Sequence, residues 1–333
     1  MKTIQYISLL VFVMIVSGCE KGLVTPTQDH TPTAIFEQAW KTIDQKYSFL
    51  EYKKIDWDSV GSAYREQVSN TISDDSLFNV LGKMLFHLKD GHVNLRSNFN
   101  VSRNWEWFLG FPQNFDLGLL ERSYLTDFRK TGNLMHKRIR NVGYVYYKSF
   151  AESVSENDMD YILETYKDTE GLIIDLRNNG GGDPNNAVTI LNRLTDKPTL
   201  VGMSYEKTGQ NHNAFGLSSE IWINPKADSK KYLGRVILLT NRSCYSATSH
   251  FVAWARALPN VTVVGDRTGG GGGLPASIQL SNGWILRYSA TIGVDAHDFN
   301  FENGTPPDIK IDMNKIDFDN GVDSILERAL ILF

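Results

Sequence analysis

The sequence contains very little cysteine: Cys19 and Cys244 are the only two among 333 residues. If Cys19 is used for lipid attachment, as argued below, no intrachain disulfide can form, and the fold must be held together by its hydrophobic core. The chain also lacks a strong excess of charge, because its formal net charge is −4. A nearly balanced charge gives no indication of a nucleic acid or another polyanion as partner.

Two kinds of cofactor site are missing as well. No pair of the seven histidines has metal-ligand spacing with a cysteine or a carboxylate, so we predict no metal site. No glycine-rich phosphate loop of the form GxGxxG precedes a predicted helix, which argues against a nucleotide. The sequence therefore predicts chemistry that side chains carry out without a cofactor.

Residues 1–19 have the form of a bacterial export signal. Lys2 provides a positive start, and the apolar stretch from Ile7 to Val16 is too short for a comfortable membrane-spanning helix. The ending Ser17-Gly18-Cys19 resembles a lipobox, in which Cys19 becomes the lipid-modified first residue. Residues 20–33 are polar, as in a tether. We predict an exported lipoprotein anchored in a membrane of the cell envelope, with the membrane face left open; an ordinary cleaved signal peptide is the alternative.

Residues 34–98 are predicted to form a helical subdomain. Three stretches carry apolar residues at three- and four-residue spacing, and Ser73 precedes the third as a helix cap. That helix ends in Lys89-Asp90-Gly91-His92, after which apolar residues alternate as in a strand. His92 therefore lies on a tight helix-to-strand corner. Residues 99–135 are irregular and rich in aromatic side chains, and we interpret them as a connecting segment that can line a cleft.

The chain is organised around residues 238–273. An apolar strand leads to a small-residue turn with Ser246, a helix and a second strand follow, and five consecutive glycines end at Gly273. A serine at such a corner can be a nucleophile with backbone N–H groups beside it. The alternative is that Ser246 and the neighbouring serines merely cap the helix. Cys244 is a weaker candidate for the nucleophile, because its small-residue setting fits packing better.

A second loop is predicted to lie beside this turn. Residues 171–177 form an apolar run typical of a strand that is buried on both faces, and the segment Asn178-Asn179-Gly180-Gly181-Gly182 follows. Strands that alternate with helices predict a mainly parallel sheet. Because ligand sites lie at the carboxyl ends of such strands, we expect the glycine loop and Ser246 to share one edge of the sheet.

Several separated motifs resemble those of one enzyme family. GLIIDLRNNGGG (171–182), NRSCYSATS (241–249), VVGDRTGG (263–270) and ENGTPPD (302–308) resemble the tail-specific, or C-terminal-processing, serine peptidases. KDGHVNL (89–95) resembles a segment of the branch that includes the tricorn protease core. The resemblance implies Ser246 as nucleophile, with the backbone N–H groups of Ala247 and Gly181 as the oxyanion hole. Glycine suits this role because it lets the backbone approach closely enough to aim an N–H at the oxyanion.

The chain departs from the better-known branch of that family. The lysine that serves there as the base falls at Gly271 in an ungapped comparison, and no lysine lies between Val261 and Asn282. The tricorn-like branch uses a histidine and a glutamate instead, which implies His92 as general base and Glu302 as its support. The serine that precedes that histidine is Gly91 here, so the catalytic group is incomplete.

The combined interpretation is a crotonase-like α/β core over residues 136–333, preceded by the helical subdomain. Residues 99–140 are too few for a PDZ domain, so we expect none. The resemblance implies a serine peptidase that acts on peptides or unfolded proteins, with no cofactor and no nucleic acid; the oligomeric state is left open. The alternative is a non-catalytic protein that binds a peptide or a small apolar ligand on the same fold.

Overall fold

The computed structural model describes residues 29–333. The predicted export signal, the lipid attachment site Cys19 and most of the predicted tether lie outside these residues. The helices of the described part are α1 (Pro32–Lys46), α2 (Trp57–Arg65), α3 (Asp74–Phe86), α4 (Glu106–Leu109), α5 (Leu117–Ser123), α6 (Glu156–Thr165), α7 (Pro184–Leu191), α8 (Ala247–Ala255), α9 (Lys315–Asp319) and α10 (Ser324–Leu330). Within residues 29–333, no helix is both long and apolar enough to span a membrane.

The strands are β1 (Asn94–Arg96), β2 (Val101–Arg103), β3 (Arg129–Thr131), β4 (Leu134–Ile139), β5 (Val142–Tyr147), β6 (Gly171–Asp175), β7 (Thr199–Glu206), β8 (Ser219–Ile223), β9 (Val236–Thr240), β10 (Val261–Gly265), β11 (Pro275–Gln279), β12 (Ile285–Ser289), β13 (Thr291–Asp295) and β14 (Ile309–Lys310). They form one large sheet and two small ones. Together with the helices they confirm the predicted mixed α/β class.

The N-terminal helices begin at residues that favour a helix start. Thr31 caps α1 by accepting the N–H of Ala34, and Pro32 stands in the first turn, where its missing N–H would have no helical partner. Ser73 caps α3, as predicted, by accepting the N–H of Ser76. Because α3 ends at Phe86 and β1 begins at Asn94, His92 lies in the corner between them.

The large sheet has the strand order β14-β10-β9-β6-β5-β4-β3. Its first five strands are parallel, and β4 and β3 extend it in antiparallel fashion. β6 is buried along its whole length because apolar side chains cover both faces of the sheet there. β6 and β9 are neighbours that end at Asp175 and Thr240, so the glycine loop and the Ser246 turn leave the same edge, as predicted.

The two small sheets, β11-β12-β1-β2 and β13-β7-β8, were not predicted. In the first, β1 pairs with β12 from the far end of the chain. Leu286 and Tyr288 of β12 belong to the same hydrophobic cluster as α1 and α3. Residues of the predicted core thus complete the hydrophobic cluster of the N-terminal helical subdomain. The boundary between the subdomain and the core stays a prediction.

Residues 99–135 are less irregular than predicted. This segment contains β2, α4, α5 and β3. The two strands have three residues each and α4 has four. Elements this short do not complete enough turns or alternations to produce a recognisable hydrophobic period.

Candidate active site

Ser246 stands between β9 and α8 in a strained backbone conformation. Its φ of 57° and ψ of −122° lie outside the regions that L-residues normally occupy. The residue is the N-cap of α8, but its side chain makes no capping hydrogen bond. The Ser246 N–H donates instead to the carbonyl of Gly270 at 2.9 Å. The hydroxyl therefore does not serve as the helix cap that the sequence left as an alternative.

The Ser246 hydroxyl lies 2.9 Å from Nε2 of His92, although the two residues are 154 positions apart. His92 is 2% exposed. Burial lowers its pKa to about 4; Asp90 opposes this shift and Arg287 adds to it. The imidazole is therefore neutral at pH 7, the state in which it can accept the proton of a serine hydroxyl.

Packing, rather than a carboxylate, holds the His92 ring. Nδ1 is buried and has no hydrogen-bond partner among residues 29–333. The Tyr245 ring lies 4.9 Å from the imidazole between centroids, and Trp107 stacks on Tyr245 at 4.1 Å. A Cβ on Gly91 would lie 2.5 Å from Nε1 of Trp107. Trp107 thus occupies the space that a serine would need at position 91, the position where the tricorn-like pattern is incomplete.

Asp90 anchors the corner that presents His92. Its carboxylate accepts four hydrogen bonds, from the His92 N–H at 2.7 Å, the Ser289 hydroxyl at 2.8 Å, and the hydroxyls of Tyr47 and Tyr245 at 3.1 Å each. Burial opposes the charge, but Lys53, His92 and the hydrogen bonds outweigh burial, so the pKa of Asp90 lies below its usual value. Asp90 therefore remains charged and fixes the backbone of His92, not its ring.

Glu302 lies in the same buried region. Its carboxylate accepts hydrogen bonds from Lys53 at 2.7 Å and from the Gly272 N–H at 2.9 Å. Burial raises its pKa to about 7; Asp90 adds to the rise and Lys53 opposes it. The part of the chain that the structure describes contains no hydrogen bond between Glu302 and His92. Any support that Glu302 provides to His92 must therefore pass through other groups.

Lys53 is the group that links these parts, and no sequence pattern singled it out. Besides Glu302, its ammonium donates to the carbonyls of Leu88 and Lys89 at 3.1 and 3.3 Å, just ahead of Asp90. The side chain is 8% exposed. The available signal was a lysine in the aromatic-rich segment between α1 and α2. An exposed lysine in a surface loop gives the same pattern, so the sequence alone does not show that Lys53 is buried and paired.

The glycine loop after β6 lies against the Ser246 turn. Gly181 has a φ of +96°, and a Cβ there would lie 2.8 Å from Cβ of Ser246, an approach that only glycine permits. The Ala247 N–H stands at the start of α8, where a helix offers no acceptor. The Gly181 N–H, in contrast, donates to Oδ1 of Asn179 at 3.0 Å. Of the two predicted oxyanion donors, Gly181 is thus engaged within its own loop.

The five-glycine segment packs between the Ser246 turn and Glu302. The Gly271 N–H donates to the Glu302 carbonyl at 3.0 Å. A Cβ on Gly271 would lie 2.6 Å from the Tyr245 ring. Tyr245 therefore fills the space that the lysine of the better-known branch would need. Gly270 to Gly273 are buried, so the segment is part of the packed interior.

A cleft of about 350 Å³ opens beside Gly91 and Tyr245, the chain neighbours of His92 and Ser246. Trp107 and Phe111 of the connecting segment line it, in agreement with the expectation that this segment borders a cleft. Arg242 and Tyr245 of the Ser246 turn form the facing side, and the Arg242 guanidinium lies 3.8 Å from the centroid of the Phe111 ring. The cleft can therefore accept a mixed polar and aromatic surface.

Cys244 is not placed for nucleophilic attack. Its side chain is fully buried, and Sγ donates to the carbonyl of Leu176 at 3.0 Å. Burial raises the pKa of the thiol to about 12. A buried thiol of this kind is chemically inert at neutral pH, so the geometry favours Ser246 over Cys244.

Two family models match the chain. Peptidase family S41 matches residues 141–311, which include the glycine loop, the Ser246 turn and Glu302. The Tricorn protease C1 domain matches residues 29–86, which include Lys53. The corner with Asp90 and His92 lies between the two matched segments.

Solved structures and curated relatives agree with this match. A crystal structure of a candidate peptidase from Parabacteroides merdae ATCC 43184 is 40% identical, with a TM-score of 0.88 over 91% of this chain and 97% of that chain. Mature CPAF, at 13% identity, shares the fold with a TM-score of 0.67 over 90% of this chain and 95% of its own. The "Probable CtpA-like serine protease" of Staphylococcus aureus (strain COL) is 27% identical over 183 residues, which are 54% of this chain and 35% of that protein. The chain thus spans about a third of the length of the curated relatives it matches.

Proposed function

The chain belongs to peptidase family S41, and on this premise we propose that it is a serine peptidase that forms an acyl-enzyme on Ser246. The observation that carries the proposal is the 2.9 Å contact between the Ser246 hydroxyl and a buried, neutral His92. The strained backbone of Ser246 supports it, because such conformations concentrate at functional sites.

In the proposed reaction Ser246 Oγ bonds to the scissile carbonyl carbon while its proton passes to Nε2 of His92. The C–N bond then breaks, and the departing amine takes that proton from His92. A water molecule repeats the sequence on the acyl ester, so that acid and free enzyme are released. No cofactor takes part.

The oxyanion that develops on the substrate requires N–H donors beside Ser246. Ala247 supplies one from the start of α8, and Gly181 supplies the second once its N–H turns from Asn179 to the substrate. Glu302 acts through Lys53, which holds the chain just ahead of His92. One lost oxyanion donor reduces kcat by about a hundredfold to a thousandfold in enzymes of this type.

The finer features of the family are proposed together with the activity. The core is of the crotonase type, residues 29–333 include no PDZ domain, and the substrates are peptides or unfolded proteins that enter the cleft beside Trp107. The lipobox-like ending at Cys19 supports a lipoprotein of the cell envelope. Mass spectrometry of the membrane fraction tests this anchor, since Cys19→Ala would release the chain from it.

Hydrolysis of casein by residues 20–333 tests the activity. Both Ser246→Ala and His92→Ala should lose about a thousandfold or more, because each removes a partner of the proton transfer. Cys244→Ala is the matched control at the same turn and should retain activity. Activity that survives Ser246→Ala would overturn the assignment of the nucleophile.

A serine-reactive phosphonate separates the peptidase from the alternative, a non-catalytic peptide- or ligand-binding protein. The reagent should label Ser246 in the parent chain and not in His92→Ala, because labelling needs a base that activates the hydroxyl. Absence of both casein hydrolysis and labelling in the parent chain would favour the binding protein.

A further inference from the structure

Three arginines lie on the sheet β11-β12-β1-β2, on the face opposite the N-terminal helices. Asn94 pairs with Arg103 on β2 and with Arg287 on β12, so these residues form one row across three strands. Arg96 is two residues along β1 from Asn94 and shares its face. Leu95 between them is fully buried in the cluster of α1 and α3. We refer to Arg96, Arg103 and Arg287 as the arginine row.

The arginine row has no acidic partner. No ion pair involves any of the three side chains within residues 29–333; Arg103 Nε donates to the Gly91 carbonyl at 3.1 Å, and its guanidinium lies 4.2 Å from the Trp105 ring centroid. Burial lowers the pKa of both Arg103 and Arg287, and Tyr245 and Asp90 oppose this shift in both. The Arg287 charge lowers the pKa of Arg103 further, and the Arg96 charge lowers that of Arg287 further. Half-buried cations without a counter-ion are unfavourable, so an anion that binds between Arg103 and Arg287 would relieve this cost.

The buried Asp90 does not meet this need. It attracts both Arg103 and Arg287 at a distance, but its carboxylate already accepts four hydrogen bonds from Tyr47, Tyr245, Ser289 and the His92 N–H. The guanidinium groups therefore keep donors that no carboxylate of the described chain accepts.

The arginine row also adjoins the catalytic histidine. Arg103 holds the carbonyl of Gly91, the residue before His92, and Asn94 donates to the His92 carbonyl at 3.0 Å. The strands that carry Arg103 and Arg287 flank β1, so their backbones are about 10 Å apart, a span that two long side chains can close around a small anion. Both guanidinium charges also lower the pKa of His92, so an anion held between them lies near the imidazole.

We propose that the arginine row is a substrate subsite for a carboxylate. The carboxylate is either an acidic side chain close to the scissile bond or the carboxyl terminus of the substrate. The subsite rests on the proposed peptidase function and names the class of substrate it prefers. Guanidinium groups bind carboxylates through paired, charge-assisted hydrogen bonds, whereas an amide in the same position would leave the arginines without a counter-charge.

Matched peptides with one scissile bond test the subsite. Each carries a single Glu or Gln at one position around that bond, with a free or an amidated carboxyl terminus, and kcat/KM is measured for every pair. Hydrogen bonds to charged groups are strong enough for a preference of about tenfold to a hundredfold for the acid over the amide at one position. If kcat/KM is higher for Glu than for Gln, the subsite binds an acidic side chain. If it is higher for the free than for the amidated terminus, the subsite binds the carboxyl terminus.

Variants of the arginine row decide whether it is responsible. Arg287→Gln should remove most of the acid preference, and Arg287→Lys should retain part of it, because lysine keeps the charge but loses the paired geometry. Arg138→Gln on β4 is the control and should leave the preference unchanged. Equal cleavage of acid and amide peptides by the parent chain, or a preference that survives Arg287→Gln, would overturn the subsite.

Binding separates failure of the subsite from failure of the peptidase. The affinities of the Ser246→Ala variant for labelled Glu and Gln peptides are measured by fluorescence anisotropy, an assay that does not depend on hydrolysis. Tighter binding of the Glu peptide that Arg287→Gln abolishes supports the subsite even if the parent chain cleaves nothing. Equal affinities for the two peptides contradict it.

Discussion

Asp90 and Glu302 are two buried carboxylates in one region of the fold, and their pKa values shift in opposite directions. They are 2% and 4% exposed, so burial does not distinguish them. Asp90 accepts four hydrogen bonds and its pKa lies below its usual value, whereas Glu302 accepts two and its pKa rises to about 7. The comparison teaches that the neighbouring charges and the donors aimed at a buried carboxylate, rather than burial alone, decide whether it stays charged. Asp90 is therefore a fixed anchor, and Glu302 titrates near neutral pH.

Removal of the charge on Asp90 should have the largest effect. Asp90→Asn replaces an acceptor of four hydrogen bonds with a group that accepts at one oxygen and brings donors into a site full of donors. We expect the free energy of unfolding to fall by about 3–5 kcal/mol, together with most of the activity. Urea unfolding and casein hydrolysis measure the two effects.

Asp295→Asn is the matched control for Asp90→Asn. Asp295 is also buried and accepts the N–H groups of His297 and Phe299, but it has no contact with His92. Its replacement should destabilise the chain and leave kcat/KM of the folded protein unchanged. If Asp90→Asn were as stable and as active as the parent chain, Asp90 would not be the anchor of the corner.

Glu302 should make stability fall as pH rises. Its pKa is higher in the folded chain, about 7, than its ordinary value of 4.5, so the folded chain binds the proton more tightly between these values. The free energy of unfolding from this group therefore decreases from about pH 4.5 to about pH 7, by about 3 kcal/mol at most. His92 has the opposite effect, because its pKa is lowered from 6.5 to about 4 on folding. Its contribution to the free energy of unfolding therefore increases with pH between about 4 and 6.5.

Urea unfolding between pH 4.5 and pH 8 separates these contributions. In the parent chain they partly cancel up to about pH 6.5, whereas Glu302→Gln retains only the increase from His92. The variant should therefore gain stability with pH more steeply than the parent chain. Parallel curves for the two proteins would show that Glu302 does not titrate in this range.

Loss of Lys53 should have a smaller effect than loss of the Asp90 charge. In Lys53→Met, Glu302 can take up a proton, so at pH 6 it is not left as an unpaired buried charge, and Asp90 keeps its four hydrogen bonds. We expect the free energy of unfolding to fall by about 2 kcal/mol at pH 6, from the lost hydrogen bonds to Leu88, Lys89 and Glu302, and by more at pH 8. Chemical denaturation at both pH values measures this.

Two companions sharpen the test on Lys53. Lys41→Met, on the exposed side of α1, should change stability by less than about 0.5 kcal/mol. Lys53→Arg should recover part of the stability that Lys53→Met loses, since it restores a cation beside Glu302. An equal loss of stability at pH 6 and pH 8 would mean that Glu302 does not become neutral when Lys53 is removed.

Much of the fold could be predicted because it follows from local patterns. The predicted family is confirmed, as is the mixed α/β class. Buried strands such as β6 appear as continuous apolar runs, and caps such as Ser73 mark helix starts. The alternation after His92 indicates β1, whereas the three-residue β2 carries no such signal. β2 pairs with β1, which pairs in turn with β12 far along the chain.

The site could be predicted only in part. The resemblance named Ser246, His92 and Glu302, and the structure brings the first two within 2.9 Å. It places Glu302 on Lys53, a residue that no motif contained. The role of Tyr245 was also hidden, because its ring covers Gly271 and its hydroxyl binds Asp90 only once the chain has folded.

The sequence by itself determined the mixed α/β class, the longer helices and buried strands, the family and the residue types at positions 92, 246 and 302. These depend on local propensity, on hydrophobic period and on motifs whose residues are neighbours in the chain. Only the tertiary structure decided which carboxylate is charged, which lysine pairs with it and which arginines lie unpaired beside His92. The pKa of a side chain and its partners depend on burial and on groups from distant segments, and a linear pattern contains neither.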